Sequence, residues 1–323
     1  IDRIPTSSYV YADSYSASPS FTVRWNGSDV SSGLAAFDIQ YKEGTTGAWQ
    51  DWAISLVSSQ RSKLFTGVRG KTYYFRSRAR DKAGNVEAYP ATADTYVSVD
   101  PLLNGDFERD IASEWEILWK HGGGQDSCWP TRVYTQSYSG GNSYAVVLGC
   151  SDRRDAPFGE SMICQTINVP TAQNMPAPLL LFRYRIFTYD IVLGPTTGKF
   201  YDSFNVGAWH LGQLAPTYVF TDGSKIPPLP PYPVWDLGWR EGAVDLKPYA
   251  GQTLKVCLAN VTREDERLNT WTYVDDVRVV NLEHKLCLPI IQRVAPAAGL
   301  AAKAASSALP QTQEERELPP IQR

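Results

Sequence analysis

No apolar/polar pattern in this chain runs far before a turn residue stops it. FTVRW at 21–25 alternates and is broken by NGSD, and AAFDIQYKEG at 35–44 alternates and ends at Gly44. AWQDWA (48–53), SKLFTGV (62–68) and TYYFRSRARD (72–81) follow, the last closed by KAGNVE. Alternation with a period of two puts one apolar face on a core, and turns at this spacing leave no room for long helices. The 24 Gly and 22 Pro are spread along the chain and keep the pieces short. The expected fold class is all-β, built as sandwiches.

The same grammar continues after Asp100-Pro101. SYAVVLG (143–149), SMICQTINVP (161–170), PLLLFRYRIFTYD (178–190), DSFNVGAWH (202–210), LKVCLAN (254–260) and WTYVDDVRVV (271–280) all read as strands. At 323 residues the chain is long enough for two domains. The expected division is 1–100, 101–281 and a tail, 282–323.

Residues 1–100 resemble a fibronectin type III domain. The likeness rests on Trp25, the T-x-Y of Thr72 and Tyr74, and R-A-x-D-x-A-G-N at 78–85. It implies a buried Trp25, and a tyrosine corner at Tyr74 with its hydroxyl bonded to upstream backbone. Residues 101–281 resemble the galactose-binding-like jelly roll of many carbohydrate-binding modules, through N-G-D-F-E at 104–108, V-D-L-x-x-Y-A-G-Q-T at 244–253 and the closing Asp275-Asp276 pair. That resemblance implies first and last strands lying side by side, with a structural calcium between them. Glu108 and Asp276 match its acidic positions, with Asp106 and Asp275 as weaker candidates. Calcium takes several hard oxygens, part carboxylate and part carbonyl. The alternative is a solvated acidic edge.

A sugar-binding face needs flat rings beside hydrogen-bonding groups. Trp119, Trp129 and Trp235 are the candidates, with Trp209 and Trp239 also available, but a jelly roll of this size buries several aromatics in any case. The run KIPPLPPYPVW (225–235) cannot be a central strand, because its prolines remove ladder donors. It is either a stiff surface loop or a docking segment.

Five cysteines leave one unpaired or bridging chains. Cys128 and Cys150 stand in loop-like surroundings and form the candidate disulfide. Cys164 and Cys257 read as small buried hydrophobes. Asn26 and Asn260 begin N-glycosylation sequons.

Net charge is −3 and no basic block exceeds two residues, which excludes an electrostatic nucleic-acid binder. PLLLF is cut short by Arg183, so no membrane span is expected. No H-E-x-x-H, G-x-S-x-G, C-x-x-C or P-loop sequence occurs, and HGGG at 121–124 lacks the nucleophile elbow an oxyanion loop serves. No catalytic residue is assigned. A chain that opens at Ile1 fits a product that has lost its leader, so the expected location is extracellular or cell-surface.

The tail repeats itself, LPIIQR at 288–293 and LPPIQR at 318–323, around an Ala-rich spacer of good helix propensity, so an extended and partly helical tail is expected. An extended tail can add a strand to a neighbour's sheet edge, and such head-to-tail contact builds filaments. Cys287, Leu288, Ile290, Ile291, Leu318 and Ile321 are the assembly candidates. The leading expectation is a non-catalytic structural or adhesive protein that self-assembles as a homo-oligomer or filament. The alternatives are a carbohydrate-binding protein using the jelly roll, or the accessory region of a secreted hydrolase.

Overall fold

The computed structural model describes residues 2–4, 6–121, 128–151, 154, 159–189, 200, 202–210, 212–223, 234–262 and 268–282, with the side chains of 119–121 left out. The tail candidates Cys287, Leu288, Ile290, Ile291, Leu318 and Ile321 lie outside these residues. So do the HGGG glycines and 225–233 of the Pro-rich run.

The chain up to Val99 forms a sandwich. Its strands are β1 (Ser7–Tyr11), β2 (Tyr15–Ser16), β3 (Ser20–Ser28), β4 (Leu34–Glu43), β5 (Gln50–Val57), β6 (Ser62–Thr66), β7 (Thr72–Asp81) and β8 (Thr95–Val99). One sheet has the order β1-β3-β6 and the other β2-β8-β7-β4-β5. Between them lie Val23, Trp25, Phe37, Ile39, Phe65, Tyr73 and Phe75, all buried. Trp25 is fully enclosed and its indole N–H donates to Gln60 O at 2.9 Å.

The tyrosine corner falls one residue earlier than the resemblance implied. The hydroxyl of Tyr73 accepts the Val68 N–H at 3.0 Å, and the Tyr73 ring packs against Phe65 in the core. Tyr74 points to the other face of β7, where its ring meets Tyr96. Adjacent strand residues face opposite ways, so only one of the pair can close the corner.

The second sandwich comprises β9 (Glu116–His121), β10 (Thr131–Gln136), β11 (Asn142–Leu148), β12 (Gly159–Asn168), β13 (Pro178–Thr188), β14 (Asp202–His210), β15 (Thr217–Asp222), β16 (Trp235–Asp245), β17 (Thr253–Thr262) and β18 (Thr270–Asn281). Its two five-stranded sheets have the orders β10-β11-β18-β13-β16 and β15-β14-β17-β12-β9. Phe107, Trp115, Ile163, Phe182, Tyr184, Phe204, Leu258 and Val274 form the core between them. Among the described residues no helix is long and apolar enough to cross a membrane.

The first and last strands of this sandwich are not neighbours. β9 is an edge of one sheet and β18 is central in the other. What meets β18 is the loop before β9: Val277 N–H donates to Gly105 O at 2.8 Å. A Cβ on Gly105 would stand 1.8 Å from Val277 O, so the approach needs glycine.

Asp100 joins the two sandwiches. Its carboxylate accepts the Tyr15 hydroxyl (2.6 Å), the Leu102 N–H (2.8 Å) and the Val279 N–H (3.2 Å). Burial pushes its pKa up to about 6. Arg69 donates to the carbonyls of Asp100 and Leu102, and Thr45 N–H to Gln173 O at 2.9 Å.

Candidate functional site

β13 alternates inward Phe182, Tyr184 and Ile186 with outward Arg183, Arg185 and Phe187. Antiparallel register sets residues of the flanking strands on the same outward face. From β18 come Trp271 opposite Phe187, Tyr273 opposite Arg185, and Asp275 opposite Arg183. From β16 come Asp236, Trp239 and Glu241 opposite Phe187, Arg185 and Arg183. The result is one outer face holding rings and charged groups in rows.

Two bulges bracket this patch. β18 gains a residue between Asp275 and Arg278, with Asp276 at φ 52°, and β16 gains one between Asp236 and Trp239, with Gly238 at φ 71°. Bulges of this kind re-aim side chains and concentrate near sites. A non-glycine residue at positive φ carries strain that the surrounding structure must hold.

The rings make a continuous cluster. Phe187 and Trp271 are stacked at 5.3 Å, 6° from parallel, and Phe187 meets Tyr273 at 4.9 Å. Tyr189 lies 5.9 Å from Trp271. Trp271 is only 6% exposed, yet its Nε1–H is buried without a hydrogen-bond partner. An unmet buried donor costs about 1–3 kcal/mol, so it calls for an explanation.

The charged groups are fixed beside the rings. Arg185 grips Asp236 with two N–H groups, the Nε contact at 2.8 Å. This bond holds the Asp236 carboxyl below its ordinary pKa and the Arg185 guanidinium above its own. Arg183 pairs with Asp276 and lies 3.6 Å from Glu241. Asp275 accepts the Ser143 hydroxyl at 3.1 Å, and burial, then the backbone and charge of Asp276 beside it, leave its pKa at about 7.

One hairpin lies across the face. β11 pairs with β18 over three residues only, Val146–Leu148, while the β10–β11 pairing runs on to Gln136 and Asn142. Beyond that short contact the hairpin leaves the sheet and crosses it. Ser143 meets Asp275 on β18, Tyr138 stacks over the Arg183 guanidinium on β13 at 4.2 Å, and Gln136 O accepts the Trp239 indole N–H from β16 at 2.8 Å. β10 and β16 are opposite edges of this sheet, so the last bond joins edge to edge.

The rings proposed from sequence fall elsewhere. Trp129 is 49% exposed in the loop after β9. The Trp119 side chain is not among those described. Trp235 is half-buried with an unpartnered Nε1–H, at the start of β16. Trp209 belongs to the other sheet, under Lys255. Trp239 is the one sequence candidate on this face. Phe187, Trp271 and Tyr273 were missed, although R-x-R-x-F in β13 and W-x-Y-x-D in β18 carry them at strand spacing.

The calcium candidates do not converge. No three of Asp106, Glu108, Asp275 and Asp276 bring carboxylate oxygens within 4.8 Å of one another. Asp276 is taken by Arg183, Glu108 accepts the Tyr144 N–H at 3.0 Å, and Asp106 accepts the Glu108 N–H at 3.5 Å. As they stand these side chains do not fit a calcium cage. The one acidic trio among the described residues that converges is Asp2, Asp29 and Asp81 on the first sandwich. Backbone N–H groups of Ile4, Ser32, Gly33 and Asn85 donate to it, while Asp29 Oδ1 is buried without a partner.

Cys128 and Cys150 are joined, Cα atoms 4.9 Å apart. Cys164 and Cys257 need correction: they are buried as expected but disulfide-bonded, facing each other in register across β12 and β17. Asn260 also needs correction as a glycosylation site. It is 1% exposed in β17, and its amide donates to Thr270 O and accepts from Thr272. A glycan has no path to it. Asn26 is exposed on β3.

No protein-family model matches the chain, and no curated protein matches it. Among solved structures it is similar to a carbohydrate-binding module of the β-sandwich superfamily, in work on promiscuous specificity. Identity there is 10%, the TM-score 0.31, and the match covers 87% of this chain and 100% of that one. It is also similar to the α-L-rhamnosidase from Dictyoglumus thermophilum, with 10% identity and a TM-score of 0.29, over 82% of this chain and 27% of the enzyme.

Proposed function

We propose that this chain is a non-catalytic, extracellular carbohydrate-binding protein that holds a saccharide on the outer face of β16, β13 and β18. The observation that carries the reading is the juxtaposition on one face of Phe187, Trp271 and Tyr273 with the Arg185–Asp236 pair. Sugar rings present C–H faces that pack on aromatic rings, and hydroxyls that both donate and accept. A bidentate guanidinium–carboxylate pair offers fixed donors and acceptors for such hydroxyls.

The alternative from the sequence thus becomes the leading reading, because it is the one for which the described residues supply a face of rings and fixed polar groups. The first sandwich serves as a spacer. Its order, β1-β3-β6 against β5-β4-β7-β8, supports the fibronectin-type resemblance. Two disulfides support an oxidising compartment.

A glycan array probed with the full chain, with and without calcium, tests the reading. Binding to at least one glycan is expected, weakened by Phe187→Ala. Binding to none contradicts it. Concentration-dependent association of the full chain that is lost without residues 283–323 favours assembly instead.

A further inference from the structure

We infer that the crevice where the two sandwiches meet is a second ligand site, which takes a sugar acid, a single saccharide unit carrying one carboxylate. The crevice holds about 300 Å³ and is lined from both sides. Tyr15 and Arg69 come from the first sandwich, and Asp106, Arg109, Asp276 and Arg278 from the second, with Asp100 at the joint between them. Ligand pockets favour domain interfaces, and this volume stands at the small end of their range, which suits one sugar unit and not a chain. The backbone around it is strained. Asn104, Phe107 and Asp276 stand at φ 50°, 50° and 52°, and among the described residues Ser55 is the one other non-glycine residue at positive φ. Asn104 and Asp276 line the crevice, and Phe107 lies in the loop between Asn104 and Arg109. Strain of this kind gathers at binding sites, where the surrounding structure holds it.

The charged groups decide the ligand. Asp100 is capped by three donors, and Asp276 is paired with Arg183, which is not part of the lining. Arg69 donates to two carbonyls, which leave its charge unanswered. Arg109 reaches Glu114 at 3.3 Å, an exposed pair of little strength. Arg278 is half-buried on β18 beside the Asp276 bulge, and it makes no hydrogen bond or ion pair with a described residue. A charge partly removed from water and left unpaired calls for a counter-ion. The guanidinium fork matches a carboxylate with two parallel bonds. It matches a phosphate equally well, but Asp106 and Asp276 stand in the same crevice and repel a second negative charge. Those two carboxylates accept bonds from hydroxyls instead. One carboxylate with hydroxyls around it is the chemistry of a uronic acid.

Isothermal titration of the full chain with D-glucuronate and D-galacturonate, beside D-glucose, D-galactose and acetate, tests this. At least one uronate is expected to bind roughly tenfold or more tightly than its neutral counterpart and than acetate. Arg278→Gln should remove most of that advantage, and Arg278→Lys, which keeps the charge but not the fork, should restore only part of it. Phe187→Ala should leave uronate affinity within about twofold, because the aromatic face is a different site. Binding of neither uronate overturns the inference, and so does equal binding of the neutral sugar. Equal binding of acetate overturns the sugar-acid assignment and leaves a bare anion site. Uronate binding that survives Arg278→Gln and is lost in Phe187→Ala also overturns it, by placing the uronate on the aromatic face. The saccharide reading of that face stands or falls separately, on the glycan array and Phe187→Ala.

Discussion

Both sandwiches carry arginines and aromatic rings on an outer sheet face, yet the two faces are finished differently. On the first, Arg76 lies between Trp49 (4.2 Å) and Tyr89 (4.9 Å), and Arg78 covers Tyr89 again at 4.5 Å. Arg76 also gives two N–H groups to Gln40 and one to Pro90 O, and Arg78 binds the buried Asp38. Ring faces and guanidinium donors there are spent on each other. On the second, Arg185 and Arg183 are held by carboxylates, Arg185 also lies over Phe187 at 5.0 Å, and Phe187 touches both Trp271 and Tyr273. The same residue types make a ladder of interleaved rings and guanidinium groups in one place and a cluster of rings touching rings in the other, and each face keeps a buried polar atom without a partner, the Tyr89 hydroxyl and the Trp271 N–H. Composition therefore says little about how such a face is arranged, and the contacts among its rings say more.

The largest expected effect concerns the cores beneath those faces. Trp25→Ala should cost about 3–5 kcal/mol, read by urea unfolding, because it empties the centre of the first sandwich. A loss below about 1 kcal/mol would mean that this core does not depend on Trp25.

The second face also carries a pH signature. The folded pKa of Asp275 is raised from 3.8 to about 7 by burial, so folding favours the protonated carboxyl. That stabilisation is full below about pH 4 and is lost as pH rises through about 7. Unfolding free energy should therefore fall between pH 5 and pH 8, and Asp275→Asn should flatten the slope. Asp100, raised to about 6 at the joint, contributes in the same direction. A slope unchanged by Asp275→Asn would place its origin elsewhere.

A smaller effect should follow from Arg185→Lys. It keeps the charge but loses the bidentate grip on Asp236, and a severalfold loss of glycan affinity with unchanged thermal stability is expected. Equal affinity would remove that pair from the site. Smallest of all is calcium. With Asp276 engaged by Arg183, added calcium should shift the melting temperature by less than about 1 °C. A clear rise that Glu108→Gln abolishes would instead place calcium at that edge.

The strand pattern was legible because alternation is a local property. The outward row Arg183, Arg185, Phe187 stands in the sequence at two-residue spacing. The side on which Tyr73 and Tyr74 fall stands in the sequence too, against the Tyr74 corner that the resemblance implied: Arg76, Arg78 and Arg80 share the face of Tyr74, which leaves Tyr73 with Phe75 and the core. The hairpin's course was not legible. Gln136 and Trp239 are 103 positions apart, and nothing local says that β11 pairs with β18 for only three residues. Pairings of such separation depend on register and on bulges, which alternation leaves open. Asn260 shows the same limit. A sequon is a local string, whereas its burial comes from two sheets closing over β17.

The central claim is that the ring cluster of the second face binds and the interleaved ladder of the first does not. Affinity for the best ligand from the glycan array, measured by titration, tests it in two double variants, Phe187→Ala with Tyr273→Ala and Trp49→Ala with Tyr89→Ala. Circular dichroism would confirm that each folds. The account predicts a loss of roughly tenfold or more in the first and a change within about twofold in the second. Full affinity in the first variant, or a loss confined to the second, would contradict it.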